Sequence, residues 1–96
     1  MKQYVEQLKR NLTVSFRPRG NSMSPRIKSG ELITVSPELG KLKEGDIVLC
    51  KVNGHLYLHL IRAIKGGRYK IGNNHGRING WCGENAIFGK VTKVKN

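Results

Sequence analysis

A two-residue turn between two apolar segments is the feature that most constrains the fold of this chain. Asn53-Gly54 separates residues 47–52 from residues 55–64, and both flanking segments are rich in residues that favour β-strands. Asn and Gly tolerate the positive φ angles that both central positions of a type I′ turn require. The sequence therefore predicts an antiparallel β-hairpin near the middle of the chain.

Further strands are predicted on both sides of this hairpin, with Gly66-Gly67 as a second turn. Residues 73–85, which are rich in Asn and Gly, are predicted as a loop. Repeats and low-complexity segments are absent from the sequence, so we expect one mostly β domain. The other strand-like segments are residues 13–17, 31–36, 68–72 and 86–94.

The N-terminal segment, residues 2–12, has the apolar spacing of a short amphipathic helix. A helix of this length is marginal in isolation, so its apolar face is expected to dock, either on its own domain or on a partner. We expect an N-terminal helix at residues 1–12 packed on a β domain at residues 13–96. The apolar residues on the predicted face are Tyr4, Val5, Leu8 and Leu12.

Size and charge narrow the class of protein. The 96 residues suit one small domain, and 18 Lys and Arg against 6 Asp and Glu give a formal charge of +12. Such an excess suits an anionic partner, namely nucleic acid, a membrane surface or an acidic protein, although it also serves solubility alone. No apolar run is long enough to span a bilayer, and no secretion signal is recognisable. A cytoplasmic location is therefore expected.

Two cysteines, Cys50 and Cys82, are expected to be buried thiols rather than a disulfide. The cysteines and the three histidines do not have the spacing of metal ligands. We therefore expect neither a metal nor a cofactor.

One serine lies in surroundings that suit a nucleophile. Ser22 belongs to Gly20-Asn21-Ser22-Met23-Ser24-Pro25, in which Gly20 permits a positive φ or a close backbone approach. Pro25 restricts the segment, and Met23 can fill an apolar site beneath it. A serine between Gly and Pro is more often a plain turn residue, and its hydroxyl needs a base before it can attack.

The candidate base lies on the return strand of the predicted hairpin. Alternation places Tyr57, His59 and Ile61 on one face of that strand and the three leucines at positions 56, 58 and 60 on the other. An imidazole that titrates near neutral pH suits general base catalysis. The alternative is a structural histidine satisfied by hydrogen bonds.

Five segments in order resemble the motifs of the type I signal peptidases and LexA-type repressors. These serine peptidases have a coiled, mostly β fold, and most of them pair the serine with a lysine base. In the endoplasmic-reticulum and archaeal signal peptidases the base is histidine. The segments are Gly20-Asn21-Ser22-Met23-Ser24-Pro25 with Lys28-Ser29-Gly30-Glu31-Leu32-Ile33-Thr34-Val35, Leu42-Lys43-Glu44-Gly45-Asp46-Ile47-Val48, Leu58-His59-Leu60-Ile61, Ile71-Gly72-Asn73-Asn74 and Phe88-Gly89-Lys90-Val91.

The resemblance implies Ser22 as the nucleophile and His59 as the base. It also implies that a substrate peptide adds as a strand beside the site. The oxyanion would be held by backbone N–H groups near Ser22, with help from the side chain of Ser24 or Asn21.

The chain departs from the resemblance where a carboxylate is expected. The family's Gly-Asp-Asn motif is Gly72-Asn73-Asn74 here, so Asn73 is the residue predicted to orient the imidazole. Asp46 or Glu84 could replace the missing carboxylate. A lysine base, Lys65 or Lys70, remains an alternative to His59, although neither stands at the matching position.

The predicted function is that of a small soluble serine peptidase that cuts another protein through a Ser22–His59 dyad. The alternative is an inactive peptidase-like fold that binds nucleic acid or an acidic protein through basic residues such as Arg17 and Arg26. With no membrane anchor, no helix-turn-helix and no Ala-Gly bond, neither a signal peptidase nor a self-cleaving repressor is expected.

Overall fold

Seven β-strands and one short helix form the structure, a computed structural model that describes residues 1–96. A single 3₁₀ turn, Glu84–Ala86, precedes the last strand. The mostly β fold expected from the sequence is confirmed. The elements are α1 (Lys2–Lys9), β1 (Val14–Phe16), β2 (Leu32–Ser36), β3 (Ile47–Val52), β4 (His55–Lys65), β5 (Arg68–Gly72), β6 (Ile78–Gly83) and β7 (Ile87–Lys95).

The predicted hairpin is present as the β3–β4 pair. Asn53 and Gly54 have φ angles of 50° and 83°, the two positive values that a type I′ turn requires. β3 pairs antiparallel with β4 from Val52 opposite His55 to Ile47 opposite Leu60. The long β4 then continues beyond its partner and pairs with β5.

All seven strands belong to one antiparallel sheet, with the order β1-β2-β7-β3-β4-β5-β6. The last strand, β7, lies between β2 and β3, so the end of the chain joins the N-terminal strands to the central hairpin. β5 pairs with β4 only from Leu60 onward. Residues 55–59 of β4 are therefore paired on the β3 side alone, which leaves one backbone edge unpaired.

Two apolar clusters lie on the two faces of the central strands, as the alternation of a strand requires. Leu58 and Leu60 of β4 belong to the first cluster, together with residues of α1, β1, β2 and the loop after β1. Ile61 belongs to the second cluster, against which Tyr57 packs. The opposite faces predicted for these residues of β4 are therefore confirmed.

The N-terminal helix docks on its own domain but ends earlier than predicted. It ends at Lys9 rather than Leu12, because Asn11 adopts a left-handed conformation with φ 63° and the N–H of Leu12 turns back to the Gln7 carbonyl. Leu12 is 47% exposed and is not part of the docking face. Val5 and Leu8 are buried in the first cluster, and the Tyr4 ring stacks on Phe16 with centroids 4.0 Å apart.

A second correction concerns residues 73–85, which the sequence predicts as a loop. They contain β6, an edge strand that pairs with β5 from Arg68 opposite Gly83 to Gly72 opposite Ile78. The local sequence conceals this strand because Asn and Gly have low β propensity. Gly80 has φ 140°, and a Cβ there would lie 2.9 Å from Val52 Cγ1, so the close packing of β6 on β3 requires glycine.

No helix in the structure has both the length and the apolar character needed to span a lipid bilayer.

Candidate active site

Ser22 lies in a turn within the long connection between β1 and β2, and it is exposed. Gly20 has φ 107°, which confirms the positive φ foreseen for it, and its N–H donates to Ser29 Oγ at 3.2 Å. Met23 and Ile27 are only 4% and 3% exposed, and the Ile27 N–H donates to the Met23 carbonyl. The serine is therefore carried by a turn whose apolar side chains are anchored in the first cluster.

The segment that follows β5 holds this turn by hydrogen bonds to its carbonyl groups. The Asn74 backbone N–H donates to the Ser22 carbonyl at 2.9 Å, and Asn74 Nδ2 donates to the Ser24 carbonyl at 2.9 Å. His75 Nε2 bonds to the Asn21 carbonyl at 2.8 Å. Three carbonyls around the candidate nucleophile are thus held by two neighbouring residues, which gives the turn a defined position relative to β4.

His59 lies near the middle of β4, and its ring reaches the serine. His59 Nε2 is 3.3 Å from Ser22 Oγ, so the structure brings together the two residues predicted as base and nucleophile. His59 Nδ1 lies 2.6 Å from Asn79 Oδ1 on β6. Because an amide oxygen only accepts hydrogen bonds, this contact places the proton on Nδ1 and leaves the Nε2 lone pair facing the serine hydroxyl.

The environment of His59 favours the neutral ring. Burial lowers the pKa of His59 below its ordinary value, and the hydrogen bond with Asn79 opposes that shift only in part. The Tyr57 ring stacks beside the imidazole with centroids 5.2 Å apart. At neutral pH the imidazole is therefore in the unprotonated form that a general base needs.

The asparagine that bonds to the imidazole is Asn79, whereas the sequence predicts Asn73 for this position. Asn73 does not hydrogen-bond to His59: its Oδ1 accepts the backbone N–H groups of His75 at 2.8 Å and Arg77 at 3.0 Å. This side chain closes the turn that leads from β5 into β6. Asn79 lies in β6 at the register shift between the pairs Ile71–Gly80 and Gly72–Ile78, and such an irregularity redirects a side chain out of the regular alternation.

The alternative carboxylates also have other partners. Asp46 lies 3.8 Å from Lys90 Nζ and accepts the Lys43 N–H, while Glu84 accepts the hydroxyl of Tyr69. Neither hydrogen-bonds to His59. The imidazole is therefore oriented by a neutral amide and not by a carboxylate.

The predicted lysine alternatives lie elsewhere on the sheet. Lys65 is the last residue of β4, six positions beyond His59, and pairs with Arg68. Lys70 lies on β5 opposite Trp81. Of the charged or titratable residues proposed as base, only His59 contacts Ser22.

Asn21 and Ser24, predicted to support the oxyanion, flank Ser22 in the same turn. Their backbone atoms bond to each other within this turn: the Ser24 N–H donates to the Asn21 carbonyl at 3.2 Å. Their side chains have no assigned role in the structure, and the oxyanion contribution of Ser24 and Asn21 stays a prediction.

A cavity of about 390 Å³ opens beside Ser22 and His59. Its walls come from three parts of the chain: the start of α1, the segment from Phe16 to Lys28, and residues 56–59 of β4. The walls therefore combine the candidate nucleophile, the unpaired edge of β4 and the apolar residues of the first cluster. The apolar lining side chains that lie in or pack against the first cluster are Tyr4, Phe16, Met23, Ile27, Leu56 and Leu58.

Sequence reasoning missed two contributors to this site. Asn79 lies in a segment that the sequence predicts as a loop, because Ile78, Trp81 and Cys82 are the few strand-favouring residues among its Asn and Gly residues. Asn74 was part of the motif Ile71-Gly72-Asn73-Asn74 but received no role. In the structure Asn74 bonds to the serine turn, whereas Asn73 closes the turn that leads into β6.

A family model described as Peptidase S24-like matches residues 4–78, which is more than three quarters of the chain and includes both Ser22 and His59. No curated protein matches the chain significantly. The expected relationship to the LexA and signal peptidase superfamily is confirmed, and the chain belongs to the Peptidase S24-like family.

Proposed function

We propose that this protein is a serine peptidase that hydrolyses a peptide bond in another protein, with Ser22 as nucleophile and His59 as general base. The observation that carries the proposal is the 3.3 Å approach of His59 Nε2 to Ser22 Oγ, with Nδ1 of the same ring bonded to Asn79. A hydroxyl, a neutral imidazole and an acceptor behind the imidazole form the geometry of an activated serine.

In the proposed reaction, Ser22 Oγ attacks the carbonyl carbon of the substrate while His59 Nε2 takes its proton. His59 then gives this proton to the departing amine as the peptide C–N bond breaks, which leaves an acyl ester on Ser22. A water molecule attacks the ester by the same route and frees the serine. The 3.3 Å separation is slightly longer than an ideal hydrogen bond, as is common before substrate binds.

Asn79 would act as a positioning residue in this reaction. Its amide oxygen fixes the tautomer and orientation of His59, but a neutral amide does not stabilise the imidazolium that forms during the attack. We therefore expect slower turnover than a carboxylate in the same position would allow.

Backbone N–H groups near the serine are suited to hold the oxyanion. The N–H groups of Ser22 and Met23 donate to no backbone carbonyl, whereas the Ser24 N–H is engaged by Asn21. Two free donors beside the attacking oxygen support the predicted oxyanion site at this turn. Side chains of Ser24 or Asn21 would assist them.

The free edge of β4 offers a place for the substrate backbone. Residues 55–59 of β4 pair only with β3, and residues 56–59 line the cavity beside Ser22. A peptide that adds to this edge as an extra strand presents its scissile carbonyl to Ser22.

The two free, buried thiols, Cys50 and Cys82, suit a reducing compartment and support the proposed cytoplasmic location.

The test is a multiplexed peptide-cleavage assay read by mass spectrometry, together with labelling by a fluorophosphonate probe. We expect Ser22→Ala and His59→Ala to abolish cleavage, while the matched variant Ser15→Ala, which alters an exposed residue outside the dyad, retains it. Cleavage that survives in Ser22→Ala would contradict the proposal.

The other outcome of this test is a folded protein that binds peptides without cutting them. A protein that neither reacts with the probe nor cleaves any peptide across the pH range of a neutral His59 would be a peptidase-like binding module. No feature of the fold or of the family match favours a nucleic acid as the partner of such a module.

A further inference from the structure

The charged side chains that line the cavity all carry the same sign. Arg17, Arg19 and Lys28 belong to the cavity wall, and no Asp or Glu does. All three are exposed at the cavity mouth. The charged side chains in the wall of the cavity beside Ser22 are therefore all positive.

The carboxylates of the protein do not neutralise these residues. The single ion pair of the structure joins Asp46 to Lys90, and neither residue lines the cavity. Glu31 is the acidic residue nearest in sequence to Lys28, and its side chain accepts the backbone N–H of Lys28. The side-chain charges of Arg17, Arg19 and Lys28 are thus left available to a bound molecule.

Beneath this charged mouth the cavity is apolar. Phe16, Met23, Ile27 and Leu58 line it and are each less than a tenth exposed. An apolar side chain gains free energy by leaving water for such a surface, whereas a charged one would lose its hydration. The two parts of the cavity therefore select for different groups of one ligand.

One of the basic residues is held in place before any ligand binds. Arg17 Nη1 donates to the Gly30 carbonyl at 2.8 Å, so its guanidinium is fixed against the loop and retains further N–H donors. Arginine presents its donors in a planar fork that matches a carboxylate. A preorganised donor of this kind loses little conformational entropy when it binds.

We propose that the substrates are acidic peptides: the segment bound along β4 places an apolar side chain in the cavity and carries Asp or Glu at neighbouring positions, where Arg17, Arg19 and Lys28 contact them. This inference rests on the proposed function and names the substrate class of the same site. Charge at the mouth also accelerates encounter with such peptides, and this effect weakens as salt screens it.

The experiment measures binding separately from cleavage. Fluorescein-labelled peptides that share one central Leu, flanked on both sides by Glu, Gln or Lys, are titrated into the Ser22→Ala protein and followed by fluorescence anisotropy. We expect the Glu peptide to bind about tenfold more tightly than the Gln peptide at low salt, from two or three exposed ion pairs, and the Lys peptide to bind most weakly. The preference should shrink at high salt.

A charge-matched pair of variants separates the cavity from the overall positive charge. Adding Arg19→Glu and Lys28→Glu to Ser22→Ala should remove the preference for the Glu peptide. Adding Lys41→Glu and Lys65→Glu instead changes the net charge equally at exposed residues outside the cavity wall, and should largely retain it. Equal losses in the two variants would overturn the inference.

The outcomes keep this inference apart from the proposed function. If the wild-type protein cleaves Gln and Lys peptides as well as the Glu peptide, the substrate class is wrong although the peptidase stands. If the Glu peptide binds selectively but is never cleaved, the acidic-peptide site stands although the peptidase fails. If single-stranded nucleic acid displaces the Glu peptide and binds more tightly, the site belongs to nucleic acid and the inference is wrong.

Discussion

At the scale of single residues, the most informative contact is the 2.6 Å hydrogen bond between His59 Nδ1 and Asn79 Oδ1. It orients the imidazole towards Ser22 without adding negative charge, and burial lowers the pKa of His59 below its ordinary value. Burial keeps the ring neutral at pH 7, although the bond to Asn79 opposes this pKa shift in part. A base with a low pKa remains unprotonated in mildly acidic solution, so the proposed activity should extend to lower pH than a triad with a carboxylate would permit.

Replacing this amide by a carboxylate tests the electrostatic part of the argument. In Asn79→Asp, the new negative charge beside Nδ1 stabilises the imidazolium, so the pKa of His59 should rise. We expect the His59 ring resonances in an NMR titration to move their midpoint to higher pH, and the acidic limb of kcat/KM to move with them. Asn85→Asp adds the same charge at an exposed position and serves as the control. An unchanged midpoint in Asn79→Asp would contradict the assigned contact.

At the scale of elements, the site depends on the segment after β5 holding the serine turn. Asn74 donates from its backbone and from its side chain to the carbonyls of Ser22 and Ser24, both at 2.9 Å. The turn contains no regular secondary structure, so these bonds and the buried Met23 hold its position. A shift of the turn by a fraction of an ångström changes the distance between Ser22 Oγ and His59, on which proton transfer depends.

We expect Asn74→Ala to reduce kcat more than it reduces stability. The substitution removes the bond to the Ser24 carbonyl and should lower the free energy of unfolding by about 1 kcal/mol. The same loss of positioning should lower kcat by about tenfold or more with little change in KM. Chemical denaturation and steady-state kinetics give the two readouts, with Asn85→Ala as the exposed control. A fall in stability with kcat unchanged would assign Asn74 a purely structural role.

The packing of α1 over β7 depends on one glycine. A Cβ at Gly89 would lie 2.6 Å from Val35 Cγ1, 2.9 Å from the Ser36 carbonyl oxygen and 3.1 Å from Leu8 Cδ1. Because a backbone oxygen of the neighbouring strand cannot move aside freely, the β2–β7 pair admits no larger residue here.

Gly89→Ala should therefore lower the free energy of unfolding by about 1–3 kcal/mol, the usual cost of overpacking a core. Gly83→Ala is the matched control, since a Cβ at Gly83 meets nothing within 4 Å and its φ is negative. Denaturant midpoints of the two variants give the comparison. Equal midpoints would show that α1 and β2 shift to accommodate the methyl group.

At the scale of the whole molecule, the second apolar cluster packs β3 against β5 and β6. Two of its members are neighbouring thiols, one on β3 and one on β6. Cys50 and Cys82 are both free and buried, as the sequence predicts. Burial, reinforced by the neighbouring Cys82, raises the pKa of Cys50 to about 12, and burial also raises the pKa of Cys82. The folded protein therefore keeps these thiols protonated and unreactive well above neutral pH.

This shift makes stability depend on pH in the alkaline range. The unfolded chain releases the Cys50 proton near the ordinary pKa of 9.0, whereas the folded chain holds it until about pH 12. The folded state binds more protons in between, so stability should fall as pH rises from 9 towards 12, by about 1 kcal/mol at pH 10. Denaturant midpoints at pH 7 and pH 10 measure the loss, which should be smaller in Cys50→Ala. A pH slope identical in Cys50→Ala and wild type would contradict the shift.

The reactivity of the two thiols should agree with their burial in the folded protein. Ellman's reagent should react slowly with the native protein and fully after unfolding in guanidinium. Rapid reaction of either thiol in the native state would show that the cluster opens to solvent.

The sequence by itself determined the features that depend on neighbouring residues. The Asn53-Gly54 turn, the alternation of β4 and the short helix follow from local conformational preference, and the structure confirms them. The positions of Ser22 and His59 could also be proposed, because the motifs around them appear in a recognisable order. Nothing in the sequence measures their separation, which is 3.3 Å in the structure.

Tertiary structure alone decided which residue stands behind His59 and what surrounds the serine. β6 is a weak strand by propensity and forms because β5 offers its free edge, so the placement of Asn79 depends on pairing between distant segments. The cavity likewise joins α1, the serine turn and β4, which are far apart in sequence. Local preferences act over a few residues, whereas the site is assembled by backbone pairing and apolar burial across the whole chain, and these energies are set only when all the strands are in place.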